Sequence, residues 1–412
     1  MAQQPAPGYR PVFGAAEASA PGATRVDVML DVSEAWDQDV YADIRGASPT
    51  VPQTGGTYTS FTPQFNMKTS GRHVETAITA NSNGRLYRDN SRYQTTTNAL
   101  GAGLKAQVSQ HATLMLNQGL TYTPAYLYGL FADTAPPELG DPVAPAPDYY
   151  SGAPESIASL TSASLDRQVG ARGHVTFDGS YRFNNVDEAP GYNDLTTYSA
   201  GAHLGRAVNR NTSLRLGYVY TKSEYSATFT PVEHRPEFAV DYTRPLSATR
   251  NATFSFTVSP LMLQGATLAD GRPSDEMKYS LGGSASFNYP MTRTWTLGAG
   301  FSSGTSFVEG FTEPLTTNSA SVAFGGFVNR RTDLSFHASG SMGESVSGSP
   351  FSSSTANARV RIALNRMLAT TFDYLFYYYD FDNGIAIPPG MSPQLTRNGV
   401  RVGLTIWAPV RH

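Results

Sequence analysis

The sequence predicts an all-β protein, a transmembrane, antiparallel, up-and-down β-barrel of 18 strands. Three observations lead to this fold class. Apolar and polar side chains alternate with a period of two over segments about twice as long as an ordinary soluble strand. Charged residues make up only 15% of the 412-residue chain, below the usual share in soluble domains. Short polar turns alternate with longer loops along the chain, which is typical of a barrel that crosses a membrane.

The alternation is clearest in the last hairpin, residues 368–410. Each arm has one apolar set of the same parity, and these sets are Phe372, Tyr374, Phe376 and Tyr378, then Val400, Val402, Leu404 and Ile406. The opposite parity includes Asp373, Arg401, Gly403 and Thr405. Because successive side chains of a strand point to opposite faces, each arm has an apolar wall and a polar wall. This suits a strand with lipid on one side and water on the other.

The same pattern recurs from the N-terminus onward. The predicted strands are Arg25–Trp36, Tyr58–Lys68 and His73–Asn81, then segments 100–108, 114–123, 159–167, 175–183, 198–204, 214–221, 237–243, 254–259, 277–289, 295–302, 319–324, 334–342 and 359–364. With the last hairpin the count is 18, an even number, as in bacterial outer-membrane barrels. Segment 159–167 alternates least clearly, and without its hairpin the count would be 16.

The connections between the strands repeat in architecture. Short polar turns fall about every 40 residues, near Ala171, Asn209, Arg250, Met291, Arg330 and Arg366. Longer loops are predicted at the opposite end, at 37–56, 83–92, 132–157, 184–194, 223–235, 265–275, 303–316, 343–354 and 382–397. One unit therefore consists of two strands, one short turn and one longer loop.

A soluble β-sandwich or β-propeller would also alternate apolar and polar residues. Two observations argue against a β-sandwich and a β-propeller. The alternating segments are too long, and their polar faces are rich in Gly, Ser, Thr and Asn rather than Lys and Glu. Aromatic residues such as Tyr289 and Trp295 cluster near strand ends, as interface girdles do. The chain has no cysteine, which excludes disulfides and thiolate chemistry, and its net charge of −3 does not point to a nucleic-acid partner.

Two regions are expected. Residues 1–22 are rich in Ala and Pro and lack periodicity, so they are predicted to be a tail or a short plug, and residues 23–412 form the barrel. Met1 is followed at once by AQQPAPG, so we expect that a leader has been removed. The expected location is the bacterial outer membrane, with its lipid as the surrounding partner; a cytosolic protein is the alternative.

An 18-strand barrel is too wide for its own side chains to fill, so we expect a water-filled lumen. The alternation points nine basic and seven acidic side chains inward, which argues against strong ion selectivity. Arg359, Arg361 and Arg401 are candidates for a basic patch on neighbouring strands. The favoured alternative is that they form salt bridges with Asp373 and, across the closing seam, with Asp27 and Asp31.

Tyr377 and Tyr379 also face inward, near the loop end. Aromatic faces at this place can stack on sugar rings, and the alternative is that both residues pack against loop side chains. Together with Arg359, Arg361, Asp373 and Arg401, they are the candidates for contact with a solute.

The loop at 132–157 is acidic and stiff. It has six prolines and no basic residue, and its acidic residues are Asp133, Glu138, Asp141, Asp148 and Glu155. We expect it either to fold into the lumen as a constriction, resembling the third loop of general porins, or to lie on the surface.

No catalytic site, metal site or cofactor is expected. The seven histidines are scattered, and no HExxH, GxSxG or P-loop motif occurs. His203 with Ser199 is the nearest approach to a base and a nucleophile, and it is a poor one.

The C-terminal segment NGVRVGLTIWAPVR, which follows IPPGMSPQLTRN, resembles outer-membrane β-barrel proteins associated with bacterial exopolysaccharide gene clusters. The specific similarity covers Pro388–Val410. It implies an eighteen-stranded, porin-like barrel for polysaccharide export, with periplasmic export proteins as candidate partners. The residues themselves leave two alternatives open: a general diffusion porin for small hydrophilic solutes, and a non-transporting structural barrel whose lumen is blocked by residues 1–22.

Overall fold

The structure is a computed structural model that describes residues 22–40, 54–88, 94–123, 155–186, 194–225, 230–248, 250–265, 277–308, 311, 314–345, 348–382, 384–385, 387 and 392–411. Its strands are β1 (Ala23–Asp37), β2 (Gly56–Ser70), β3 (Val74–Tyr87), β4 (Gln94–Ser109), β5 (Ala112–Thr123), β6 (Ser156–Val169), β7 (Gly173–Val186), β8 (Leu195–Ala207), β9 (Thr212–Tyr225), β10 (Val232–Ser247), β11 (Arg250–Gln264), β12 (Lys278–Pro290), β13 (Thr296–Ser306), β14 (Leu315–Phe327), β15 (Thr332–Ser345), β16 (Pro350–Ala363), β17 (Leu368–Phe381) and β18 (Gln394–Arg411). Within these ranges, no helix has the length and apolar character needed to span a membrane.

The strands form one closed antiparallel sheet. Each strand pairs with its neighbours in the sequence, and β1 pairs with β18 as well as with β2. This confirms the predicted up-and-down barrel and its 18 strands. Segment 159–167, the weakest in the sequence, lies inside β6, which pairs along its length with β5 and β7.

The outer face of the barrel is apolar. Val400, Val402, Leu404 and Ile406 of β18 each expose more than two fifths of their surface, although they are large apolar residues. In water such a belt would be unfavourable, whereas in a bilayer it faces hydrocarbon. A closed sheet also leaves no unpaired strand edge, as the hydrocarbon region requires.

Several strands run further than the alternation predicts. β3 continues to Tyr87, through part of the predicted loop 83–92, and pairs with β4 as far as Leu86 and Gln94. The outward positions there include Ser82 and Gly84, so the apolar signal fades although the backbone ladder continues. In the same way, only residues 346–349 separate β15 from β16, where the longer loop 343–354 was predicted.

Three of the short turns share one device. The side-chain oxygens of Asn209, Asn329 and Asn365 each accept a hydrogen bond, 2.8 Å long, from the backbone N–H two residues further on. An asparagine that bonds its own backbone in this way replaces a backbone turn. This explains why four residues suffice between these strands.

Side-chain bonds reinforce the seam between β1 and β18. The buried Arg397 donates from Nε to Oδ1 of Asp37 at 2.7 Å, and Trp407 donates from Nε1 to Oδ1 of Asp27 at 3.2 Å. The Thr405 hydroxyl donates to Oδ1 of Asp31. These contacts bring ionisable side chains from the two ends of the chain together on the inner wall.

Candidate functional site in the barrel lumen

The inner wall beside the seam contains a polar cavity of about 270 Å³. It is built from strands β16 to β18 on one side of the seam and β1 to β3 on the other. Its charged lining residues are Asp31, Arg359, Arg361, Asp373 and Arg401, and its polar neighbours include Ser33, Thr62, Gln64, Asn83, Thr371 and Thr405. The structure therefore brings together four of the six residues that the sequence predicted as solute contacts.

Arg359, Asp373 and Arg401 lie in one row across β16, β17 and β18. Nε of Arg359 is 2.5 Å from Oδ1 of Asp373, and Nη2 of Arg359 is 3.4 Å from Oδ2. The Asp373 side chain is buried, whereas 39% of the Arg359 side chain is exposed. The carboxylate thus orients a guanidinium group that still faces the lumen.

Arg361 is held by Asp333 of β15, a partner that the sequence did not indicate. Nε of Arg361 is 3.0 Å from Oδ1 of Asp333, and Nη2 is 2.5 Å from Oδ2. The two residues are directly opposite in the β15–β16 register. Only that register identifies the pair, because the two residues lie 28 positions apart.

The predicted seam acids make other contacts. Asp27 accepts hydrogen bonds from Arg25 and Trp407, and Asp31 accepts from Thr405 and from Gln64, the last at 3.3 Å. Asp31 nevertheless lines the same cavity as the three arginines.

Because Gly403 has no side chain, it leaves space above this part of the inner wall. A Cβ atom added to Gly403 would lie 2.7 Å from Cβ of Ser33 and 3.0 Å from Oγ1 of Thr371. Both neighbours are small and lie in the same row as Arg361. The cavity therefore exists because a row of small residues runs beneath the long arginine side chains.

A second ionic cluster occupies the opposite wall, on β7 to β10. Nε2 of His203 is 2.9 Å from Oδ1 of Asp178, and Nδ1 of His203 is 3.6 Å from Oε2 of Glu237. Arg235 approaches the same Glu237 at 2.9 Å. The ring of His203 lies over Gly217, because a Cβ there would be 2.2 Å from Nδ1.

Asp178 and Glu237 are two of the seven acidic side chains that the alternation points inward, but the alternation does not connect them through His203. The sequence does contain a hint of this cluster, because the inward positions of β8 and β9 include Gly201 and Gly217. Glycines at such positions leave room for long side chains of the neighbouring strands to lie against the wall. The two clusters face each other because β8 and β9 are half the barrel away from β17 and β18.

Between the two clusters the wall of β11 to β15 is rich in small hydroxyl-bearing residues. A second cavity of about 270 Å³ reaches from Arg235 and Glu237 to this wall, and its polar lining includes Thr257, Ser259, Ser284, Ser302, Ser306 and Thr317. Ser319 and Ser341 share a hydrogen bond of 2.8 Å on neighbouring strands. Hydroxyl groups keep this wall polar without adding charge.

Tyr377 and Tyr379 face inward as predicted, but other side chains cover them. Tyr379 is fully buried, and its ring centroid is 5.4 Å from that of Phe381. Both tyrosines belong to a buried apolar cluster at the loop end that also contains Leu375 and Leu395. This arrangement matches the packing alternative, and their contact with a solute stays a prediction.

Most of the acidic loop lies outside the described residues. Asp133, Glu138, Asp141 and Asp148 belong to this part of the chain, as do residues 1–21 of the predicted tail or plug. Glu155 is described and is exposed, directly before β6. The constriction predicted for 132–157 therefore stays a prediction.

No protein-family model matches the chain, and no curated protein matches it. Among solved structures, it is similar to OccK2 (OpdF) of Pseudomonas aeruginosa in complex with glucuronate, with 9% identity and a TM-score of 0.46 over 95% of this chain and 100% of that one. It is also similar to OpdQ of the same species, with 9% identity and a TM-score of 0.44 over 94% and 98%. For OccAB1 of Acinetobacter baumannii the identity is 11% and the TM-score 0.43, over 94% and 97%.

At these identities and TM-scores the likeness says nothing about function. The chain's own topology is decisive: a closed, antiparallel, even-numbered barrel with an apolar outer belt and a polar inner wall. The protein is therefore a bacterial outer-membrane β-barrel.

Proposed function

We propose that the protein is a channel for small hydrophilic solutes. The observation that carries this proposal is the polar inner wall of an 18-strand barrel, with ionic clusters on opposite sides and hydroxyl groups between them. Barrels of this size enclose more space than their inward side chains fill, which leaves an aqueous channel. Fixed dipoles and ion pairs along that channel replace part of the hydration of a passing polar solute.

Polysaccharide export, which the C-terminal resemblance implies, receives less support. Export along an aromatic track needs exposed ring faces, and the inward candidates Tyr377 and Tyr379 are buried in a packed cluster. Neither the fold nor the similar structures support an association with exopolysaccharide gene clusters. Periplasmic export proteins are expected as partners only if export is the function.

We propose transport without catalysis and without a cofactor. The arrangement of His203 supports this, because its two ring nitrogens lie near the carboxylates of Asp178 and Glu237. A general base needs its nucleophile within hydrogen-bond distance, whereas the two ring nitrogens of His203 are 2.9 Å from Asp178 and 3.6 Å from Glu237.

The test is reconstitution of the purified chain. Swelling of proteoliposomes in sugars of increasing length should be fast for mono- and disaccharides and should fall steeply for longer chains. Conductance in planar bilayers should be steady and insensitive to added polysaccharide. Block of the current by polysaccharide at low concentration would favour export, and a folded barrel without any conductance would favour a structural role.

A further inference from the structure

The wall of the barrel is shortest between β12 and β13. β13 has 11 residues, fewer than any other described strand, and it ends at Ser306. Its pairing with β12 stops at Gly283 and Ser303, whereas β12 continues alongside β11 to Lys278. At the loop end, the chain therefore leaves the wall at Ser306, below the top of its neighbour.

Phe307, the residue that follows Ser306, lies inside the barrel. Phe307 packs against Leu195 and Tyr225, which are the loop-end residues of β8 and β9 and face inward. β13 is four strands away from β9 along the wall. A contact between residues that far apart around a closed sheet has to pass through its interior.

Phe311 lies on the other side of the mouth. It is fully buried, and its ring centroid is 5.3 Å from that of Phe381, the last residue of β17. Val308 and Phe311 belong to one buried cluster with residues of β14, β16, β17 and β18 and with Val186 of β7. Inner faces on opposite sides of the barrel are thus linked through these residues.

The width of the barrel explains why Phe307 and Phe311 have large side chains. The Cα atoms of Phe307 and Phe311 can be at most about 14 Å apart, since each residue spans at most about 3.6 Å. A circular barrel of 18 tilted strands is wider, roughly 35 Å between backbones. Aromatic side chains from the segment and from both walls make up the difference, and their burial favours the inward position.

We infer that Phe307, Val308 and Phe311 form the size-limiting constriction at the loop end of the channel. The inference rests on the proposed channel function and deepens it, because a strap of apolar side chains restricts the pathway to small solutes. This is the role that the sequence suggested for the loop at 132–157. Here the strap is anchored at both ends, by β8 and β9 through Phe307 and by β17 through Phe311.

The test is the double variant Phe307→Ala/Phe311→Ala. Loss of both anchors should widen the mouth, raise the single-channel conductance about two-fold or more, and admit longer oligosaccharides in the swelling assay. The matched control is Phe287→Ala/Phe301→Ala, which removes two phenyl rings from the outer faces of β12 and β13. The control should conduct like the original chain.

The chain has no cysteine, so a single Phe307→Cys variant supplies an independent readout if the double variant does not fold. A charged, membrane-impermeant thiol reagent should reduce its current, whereas Phe301→Cys should be unaffected. Equal conductance of the double variant and its control, or no effect of the reagent at position 307, would overturn the inference. No conductance from the folded original chain would instead contradict the proposed function.

Discussion

At the scale of single residues, the lumen is organised by carboxylates that hold arginines against the wall. Asp373 orients Arg359 and lies next to Arg401 in the register, and Asp333 orients Arg361. Pairing of this kind fixes where positive charge faces the solute and at the same time limits the net charge. The channel is therefore expected to be only weakly selective between small anions and cations.

Removal of the Asp373 carboxylate should change the ion selectivity of the channel. In Asp373→Asn, the positive charges of Arg359 and Arg401 lose a neighbouring negative charge, so the permeability of chloride relative to potassium should rise about two-fold. The measurement is the zero-current potential in planar bilayers under a KCl gradient. Asp380→Asn makes the same change at an exposed residue of opposite parity on the same strand and should leave the potential unchanged. An unshifted potential in Asp373→Asn would contradict this account of the wall.

The arginine–carboxylate pairs of the inner wall explain why this site was only partly predictable from the sequence. Alternation placed Arg359, Arg361, Asp373 and Arg401 on the inner face correctly, because parity is a local property of a strand. It could not pair Arg361 with Asp333, because partners across strands depend on register, which the alternation leaves open.

At the scale of elements, the seam between β1 and β18 depends on contacts between the two ends of the chain. Arg397 and Asp37 form an ion pair in which 1% of one side chain and 8% of the other are exposed. A pair so deeply buried is strongly destabilising when one partner is removed, because the remaining charge loses its compensation. The seam joins residues 360 positions apart, so it ties the two ends of the chain together.

We expect Asp37→Ala to lower the free energy of unfolding by about 3–5 kcal/mol. The matched control is Glu34→Ala on the same strand, where the pair with Arg88 is largely exposed and the loss should stay below about 1 kcal/mol. Guanidinium chloride unfolding in detergent micelles, followed by tryptophan fluorescence, measures both. Equal losses in the two variants would mean that burial of the seam pair does not contribute as argued.

The elements also differ in how well the sequence predicts them. Short turns such as those at Asn209, Asn329 and Asn365 are predictable because an asparagine in a polar turn makes its own local bond. The loop ends of β3, β15 and β16 were not predictable from the sequence. Their outward residues are small or polar, although the hydrogen-bonded backbone ladder continues there.

At the scale of the whole molecule, the two faces of the wall have different solvents. Leu100 lies near the middle of β4 with 48% of its surface exposed on the outer side, whereas Asn81, on the neighbouring β3, is exposed on the inner side. A charge on the outer face would be buried in hydrocarbon, and a charge on the inner face would stay in water.

Leu100→Arg should therefore cost about 2–4 kcal/mol of folding free energy in lipid, while Asn81→Arg should cost much less. Refolding into lipid vesicles, with the folded fraction read from the mobility shift of unheated samples in gel electrophoresis, compares the two. Similar costs at both positions would contradict the assignment of lipid and water to the two faces.

The amino-acid pattern alone predicts the number and approximate position of the strands, the face that each residue occupies, and the short turns. These follow from the period of two and from local turn chemistry, which act over a few residues. The three-dimensional structure was needed for the partner of each arginine, the cluster around His203, the burial of Tyr377 and Tyr379, and the inward packing of Phe307 and Phe311. Those features depend on register and on closure of the sheet, which bring together side chains that no local pattern relates.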